Sequence, residues 1–151
     1  MGATTLIGHG VFILDGTILT DVADGDYASL AFDSDLMNMK ISKDGNAIYA
    51  VNETGNMVKT TLRIQIGSGT DIFLNSKLQA MKADPAGFAL MAGSYSVRVG
   101  DGLGKTKDVV YQLSNGIFKR WPNAKVNAEG DTEQAVAVWT IDFLNQSRSI
   151  Q

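Results

Sequence analysis

The segment Gly100-Asp101-Gly102-Leu103-Gly104-Lys105-Thr106 ends in the Gly-Lys-Thr of a phosphate-binding loop, in which backbone amides surround phosphate oxygens and the lysine meets their charge. Two features exclude that chemistry. The motif needs a further glycine where this chain has Val99, and the residues after Thr106 read as a strand, without the helix N-terminus that completes such a site. The only histidine, His9, lies between Gly8 and Gly10. It has no cysteine, second histidine or serine at metal-site or triad spacing, so a turn residue is expected. Asp21, Asp24, Asp26, Asp33 and Asp35 are dense enough to suggest calcium, but they lack the Asp-x-Asp-x-Asp-Gly order and downstream glutamate of a dedicated loop. Solvated acidic turns account for them. An acid pair for glycoside hydrolysis is not singled out by any spacing.

The aromatic residues offer a different chemistry, a sugar-binding or protein-binding platform. Trp139, Tyr95 and Tyr111 fall within apolar alternating segments, where aromatic side chains pack inward. Trp121 follows Lys119-Arg120 and precedes Pro122, a setting that resists burial, and it is the candidate interface aromatic. No catalytic residue, metal site or cofactor is expected.

Composition says what must position these residues. The chain has 151 residues, 44% hydrophobic and 19% charged, enough apolar material for one core and too short for two domains. A single domain over 1–151 is expected. Sixteen glycines against two prolines, many in Asn-Gly or Asp-Gly pairs, point to tight turns between short strands. Without cysteine there is no disulfide framework and no thiolate chemistry. A net charge of −3, with no basic stripe, argues against tight nucleic-acid binding. No leader pattern and no membrane span are legible, so a soluble cytoplasmic product without membrane insertion is expected.

Along the chain, 11–14 and 17–20 flank Asp15-Gly16 and predict a hairpin. Strands follow at 27–32 and 36–41. Residues 42–56 read as a projecting hairpin or long loop with two polar turns, Lys43, Asp44, Gly45 and Asn46, then Asn52, Glu53, Thr54, Gly55 and Asn56. Modest apolar content makes this segment poor core material. Residues 57–66 alternate most clearly, Val58, Leu62, Ile64 and Ile66 on one face and Lys59, Thr61, Arg63 and Gln65 on the other. One helix is predicted at about 70–83, capped by Ser68 or Thr70, with Leu74, Leu78 and Met81 inward and Asp84-Pro85 ending it. Strands are then expected at 88–91, 95–99, 109–113 and 117–126, with a turn at Asn115-Gly116, and a last strand at 134–143 before a polar tail. The fold class is mainly β (α+β), a small β-barrel or sandwich with one flanking helix.

This order resembles the tail tube proteins of contractile-tailed phages, whose relatives include tailocin tubes and the type VI secretion tube protein. Three features carry the resemblance over nearly the whole chain: the long loop or hairpin at 42–56 before the strand 57–66, the single mid-chain helix, and the ending Gly130-Asp131-Thr132-Glu133-Gln134-Ala135-Val136-Ala137-Val138-Trp139-Thr140. The resemblance implies a non-enzymatic virion tail protein, assembled in the host cytoplasm, whose hexameric rings stack into a tube that conducts DNA during ejection without binding it tightly. Its partners would be itself, tail sheath, baseplate and tail terminator proteins. It implies that the 42–56 loop contacts the adjacent ring and that Lys59, Thr61, Arg63 and Gln65 face the lumen. Four lining strands per subunit at ~4.8 Å spacing and ~40° tilt would give a backbone radius near ~24 Å. The rival reading is a monomeric β-sandwich recognition module that binds carbohydrate or another surface ligand.

Overall fold

The computed structural model describes residues 5–6, 10–20, 28–32, 34–126 and 135–151. His9, Asp21, Asp24, Asp26, Asp33 and the stretch 127–134 lie outside the described residues. The strands are β1 (Thr5–Leu6), β2 (Val11–Leu14), β3 (Thr17–Leu19), β4 (Ala28–Ala31), β5 (Met37–Ile41), β6 (Ala47–Val51), β7 (Val58–Gln65), β8 (Met91–Gly100), β9 (Thr106–Phe118), β10 (Asn123–Val126) and β11 (Ala135–Ile150). A 3-10 turn, Glu53–Asn56, precedes β7, and the helix α1 (Gly69–Ala83) follows it. Nine strands form one curled half-barrel sheet, ordered β3-β2-β8-β9-β11-β7-β4, with β1 added to β8 and β10 to β11. The fold is mainly β with a single helix among the described residues, as the alternation predicts.

Each element follows from local chemistry. Asp15 (φ 49°) and Gly16 (φ 83°) occupy the left-handed region, which matches the twist of a two-residue hairpin. Asp15 also ties this turn down: its Oδ1 accepts from the Ala92 amide at 3.0 Å, and its carboxylate pairs with Lys77 on α1. The helix starts where Ser68 Oγ accepts the Asp71 amide at 3.3 Å, satisfying one of the donors a helix N-terminus leaves open. It stops at Asp84, before Pro85, whose ring disfavours helical geometry in the preceding residue.

The core lies between one face of the sheet and α1. Val58, Leu62 and Ile64 of β7 join Leu74 and Leu78 of α1, Phe12 and Leu14 of β2, and Trp139, Ile141 and Phe143 of β11. Thr60, on the same inward row of β7, is completely buried. Ile66, expected on that row, is 38% exposed, because the strand ends at Gln65 and the chain turns there. Trp139 satisfies its indole N–H by donating to Asp71 Oδ1 at 2.8 Å, and Asp71 Oδ2 accepts the Gly67 amide. One carboxylate thereby joins the last strand to the first turn of the helix.

Three boundaries differ from the expectation. Residues 88–99 hold one strand, β8, which begins only at Met91. Asn115-Gly116 is no hairpin turn: it lies inside the 13-residue β9. Met91 pairs with Gly116 but Gly93 with Leu113, so β9 carries an extra residue there. Asn115 takes it up with φ 57°, the left-handed geometry that a bulge shares with a tight turn. The break instead falls at 119–122, where Pro122 cannot donate to a ladder, and β10 resumes beyond it. Finally, β11 runs 16 residues to Ile150. Its polar second half is held by backbone pairing with β9, which apolar periodicity does not report.

Gly116 is required by packing. A Cβ there would lie 2.5 Å from Phe143 Cε1, and Phe143 is itself buried. Gly116→Ala is expected to destabilise the chain by about 1–3 kcal/mol, as overpacking does, read as a lower urea midpoint with an unchanged m-value.

Candidate functional site

The most unusual surface is the β5–β6 hairpin, which forms a two-stranded sheet of its own. Its tip is well made: the Ser42 amide donates to Asn46 O at 2.8 Å, and Asp44 Oδ1 accepts both from Ser42 Oγ and from the Asn46 amide. Gly45 supplies the positive φ of 87°. The Ser42 bond, followed by that of the Asn46 amide, holds the Asp44 carboxyl below its ordinary range. Across the strands, Met37 faces Val51, Met39 faces Tyr49, and Ile41 faces Ala47. Paired residues share a face, so one side of the hairpin is wholly apolar. It is also uncovered: Met39 is 61%, Ile41 64% and Tyr49 65% exposed.

The residues expected to form one projecting loop therefore separate. Lys43, Asp44, Gly45 and Asn46 sit at the tip. Asn52, Glu53, Thr54, Gly55 and Asn56 form the base: the Asn52 amide donates to Leu36 O, and Glu53–Asn56 form the 3-10 turn that packs against β11. Gly55 is buried, and a Cβ on it would lie 2.7 Å from Leu36 Cα and Asp35 O. The base is a wedge, not a reaching arm. The hairpin's apolar face joins Ala47, Tyr49 and Val51 of that region to Met37, Met39 and Ile41, which precede it.

Lys59, Thr61, Arg63 and Gln65 project from the sheet face opposite the core, beside Asp142, Thr140, Val138 and Val136 of β11. Lys119 Nζ lies 3.9 Å from Asp142 Oδ2, so cation and anion mix on this face. Beyond the bulge the same face continues as Ser94, Ser96 and Arg98 of β8, Gln112, Val110 and Asp108 of β9, and Ser147 and Ser149 of β11. Arg98 Nε donates to Asp108 Oδ1 at 3.0 Å, and that bond raises the guanidinium pKa further. Sequence reasoning missed this hydroxyl-rich extension because the bulge at Asn115 shifts the inward positions by one, from Gly116 to Leu113.

The remaining chemical candidates are occupied by structural roles. In the 101–105 loop, Asp101 Oδ1 accepts the amides of Leu103 and Lys105 at 2.7 and 3.2 Å. The donors that would cradle a phosphate point at the loop's own carboxylate. Trp139 is buried, and Tyr95 and Tyr111 are partly buried beside the core; burial, then the neighbouring Tyr111, raises the Tyr95 pKa. Trp121 is 53% exposed, with Lys82 Nζ 4.6 Å from its ring centre. A shallow cleft of about 270 Å³ between α1 and β10 contains one carboxylate, Asp71, already committed to Trp139 and Gly67. Among the described residues no group of His, Cys, Asp or Glu is placed to hold a metal.

No protein-family model and no curated protein matches the chain. Solved structures do. A chain of the PVC sheath-tube complex, an extracellular contractile injection system in its extended state, is 12% identical with a TM-score of 0.60, covering 97% of this chain and 91% of that one. The anti-feeding prophage cap, a tube-terminating cap, matches at 15% identity and TM-score 0.60 with the same coverage. The PVC sheath/tube terminator matches at 12% and 0.52, covering 96% of this chain and 94% of that one. The chain thus shares its fold, over almost all of its length, with tube and cap components of contractile injection systems.

The hairpin tip gives a direct test of its geometry. Because the folded pKa of Asp44 is lowered, the turn is favoured above the unfolded value of about 3.9 and loses that contribution as pH falls through the folded value. Carboxyl NMR titration should place the Asp44 midpoint below about 3.9, and Ser42→Ala should move it upward towards that value.

Proposed function

We propose that this chain is a structural subunit of a contractile-tail-type particle, assembling with copies of itself into hexameric rings that stack into a hollow tube. The observation that carries the proposal is the β5–β6 hairpin. Six apolar side chains, Met37, Met39, Ile41, Ala47, Tyr49 and Val51, are exposed on an element that pairs with no other strand among the described residues. An isolated two-stranded hairpin is marginal in water, and an exposed apolar face of this kind marks an association surface. The fold shared with sheath-tube and terminator chains supports the same reading, and implies sheath, baseplate and terminator proteins as partners in a virion or tail-like particle.

The outward sheet face, with Lys59, Thr61, Arg63 and Gln65, is the proposed lumen lining. Its cations are interspersed with Asp142, Asp108 and hydroxyls, which suits DNA that passes without tight binding, since affinity for phosphate grows with the number of cations that meet it. Lys43, Asp44, Gly45 and Asn46 at the hairpin tip reach towards the adjacent ring, and Asn52, Glu53, Thr54, Gly55 and Asn56 hold the arm that carries them. Trp121 serves as an interface aromatic on the helix side. No enzymatic step is part of this reading.

Self-assembly is measured by analytical ultracentrifugation and negative-stain microscopy across concentration. Rings or tubes are expected; monomers at every concentration would overturn the proposal. The paired substitutions Met39→Ser and Tyr49→Ser should leave circular dichroism unchanged and cost the monomer no more than about 0.5 kcal/mol each, as exposed positions do, while abolishing tubes. Normal tubes from this variant would show that the hairpin is not an assembly element.

A further inference from the structure

Sulfur in this chain is thioether alone, since it has six methionines and no cysteine. The fold sorts five of them by access, and Met1 lies outside the described residues. Met91 is fully buried in the core, and Met81 packs against that core from α1. Met37, Met39 and Met57 are 53%, 61% and 41% exposed. Oxidation of methionine follows exposure, so these three are the reactive sulfurs. Their settings differ. Met57 lines a small recess with Lys59, Lys119 and Asp142, on the outward side of the sheet. Met37 and Met39, two residues apart on β5, share the apolar face of the β5–β6 hairpin, opposite Val51 and Tyr49.

A thioether suits a contact face because it is apolar and conformationally adaptable. A sulfoxide does not, because its oxygen is a strong acceptor that must find a donor when it is buried. Of the six side chains on this face, Met37, Met39, Ile41, Ala47, Tyr49 and Val51, only Tyr49 carries a donor, and its hydroxyl offers one proton. Two sulfoxides would leave at least one oxygen unsatisfied by the face itself. The fold is indifferent to the change, since neither Met37 nor Met39 belongs to the core cluster or packs against it.

We propose that Met37 and Met39 form an oxidation site for two-electron oxidants of the peroxide class, and that their sulfoxides block self-association. The inference rests on the proposed assembly through this face and adds to it a modification that controls it. The sulfur lone pair attacks one peroxide oxygen, the O–O bond breaks, and that oxygen stays on sulfur. The other oxygen departs as hydroxide and takes up a proton to become water. Sulfur is oxidised by two electrons and peroxide reduced by two. Return needs a dithiol: reductases, one for each sulfoxide epimer, restore the thioether, the oxygen leaving as water while the dithiol becomes a disulfide. Assembly, by covering the hairpin face, withholds Met37 and Met39 from the oxidant. Met57, on the face assigned to the lumen, stays within reach and serves as an internal reference.

Peptide-mapping mass spectrometry, which reads one added oxygen per methionine, is applied to the dissociated and the assembled chain during hydrogen peroxide treatment. In the dissociated chain Met37, Met39 and Met57 should oxidise at least about 10-fold faster than Met91, and in particles Met37 and Met39 alone should slow by about 10-fold or more. Chain oxidised at Met37 and Met39 before assembly should keep its circular dichroism spectrum and form no particles by negative-stain microscopy. Both reductases with dithiothreitol should restore them. The double variant Met37→Leu, Met39→Leu keeps the face apolar at similar volume, and should assemble equally well with and without peroxide. Particles built from chain that carries both sulfoxides, or particles of the double variant lost to peroxide, would overturn this inference and leave self-assembly standing. Absence of any particle from untreated chain would overturn both.

Discussion

The 16-residue strand β11 is the constraint on which the other elements depend. Over Ile141, Asp142 and Phe143 it is paired simultaneously with β7 and β9, and there its inward side chains Ile141 and Phe143 are buried to 1% exposure or less. One flank of its first half takes β7 and the other takes β10; its second half takes β9 alone. Trp139, two residues upstream, fixes the helix by its bond to Asp71. The sheet and the helix are thus both referred to one strand, which explains how a modest apolar core can hold so many short elements.

That arrangement assigns most of the polar chemistry to structural work. Asp71 caps α1 and receives the indole N–H, Asp15 binds the first hairpin turn to β8 and α1, and Asp101 fills its own loop. The groups left to the surface are hydroxyls, amides and ion pairs on the outward sheet face, and the apolar side of the hairpin. These are materials suited to contact surfaces.

The bulge at Asn115 links fold to surface. One extra residue in β9 moves the inward positions from Phe118 and Gly116 to Leu113, which bends the sheet and keeps core and outward faces consistent across β8, β9 and β11. Without it, the serine and glutamine rows would point into the core and Tyr111 into water. The same device sets the parity that turns the backbone of Gln146, Arg148 and Ile150 away from β9.

Much of this was legible in residues alone. The β7 alternation, the Asp15-Gly16 hairpin, the Ser68 cap and the Leu74/Leu78 stripe each arise from local periodicity or turn chemistry, which a chain expresses wherever it sits. Lys59, Thr61, Arg63 and Gln65 fall on the face opposite Val58, Leu62 and Ile64 for that reason, and Trp121 is exposed. What local pattern does not carry is pairing. Asn115-Gly116 suits a turn or a bulge equally, and only the partner strands β8 and β11 select the bulge. The polar residues 144–150 form a strand because β9 supplies backbone partners, and the apolar hairpin stays exposed because the sheet offers it no place within its own chain. Periodicity and turn propensity are properties of neighbours in sequence; register, edges and uncovered faces arise between segments distant in sequence, and the tertiary structure alone decided them.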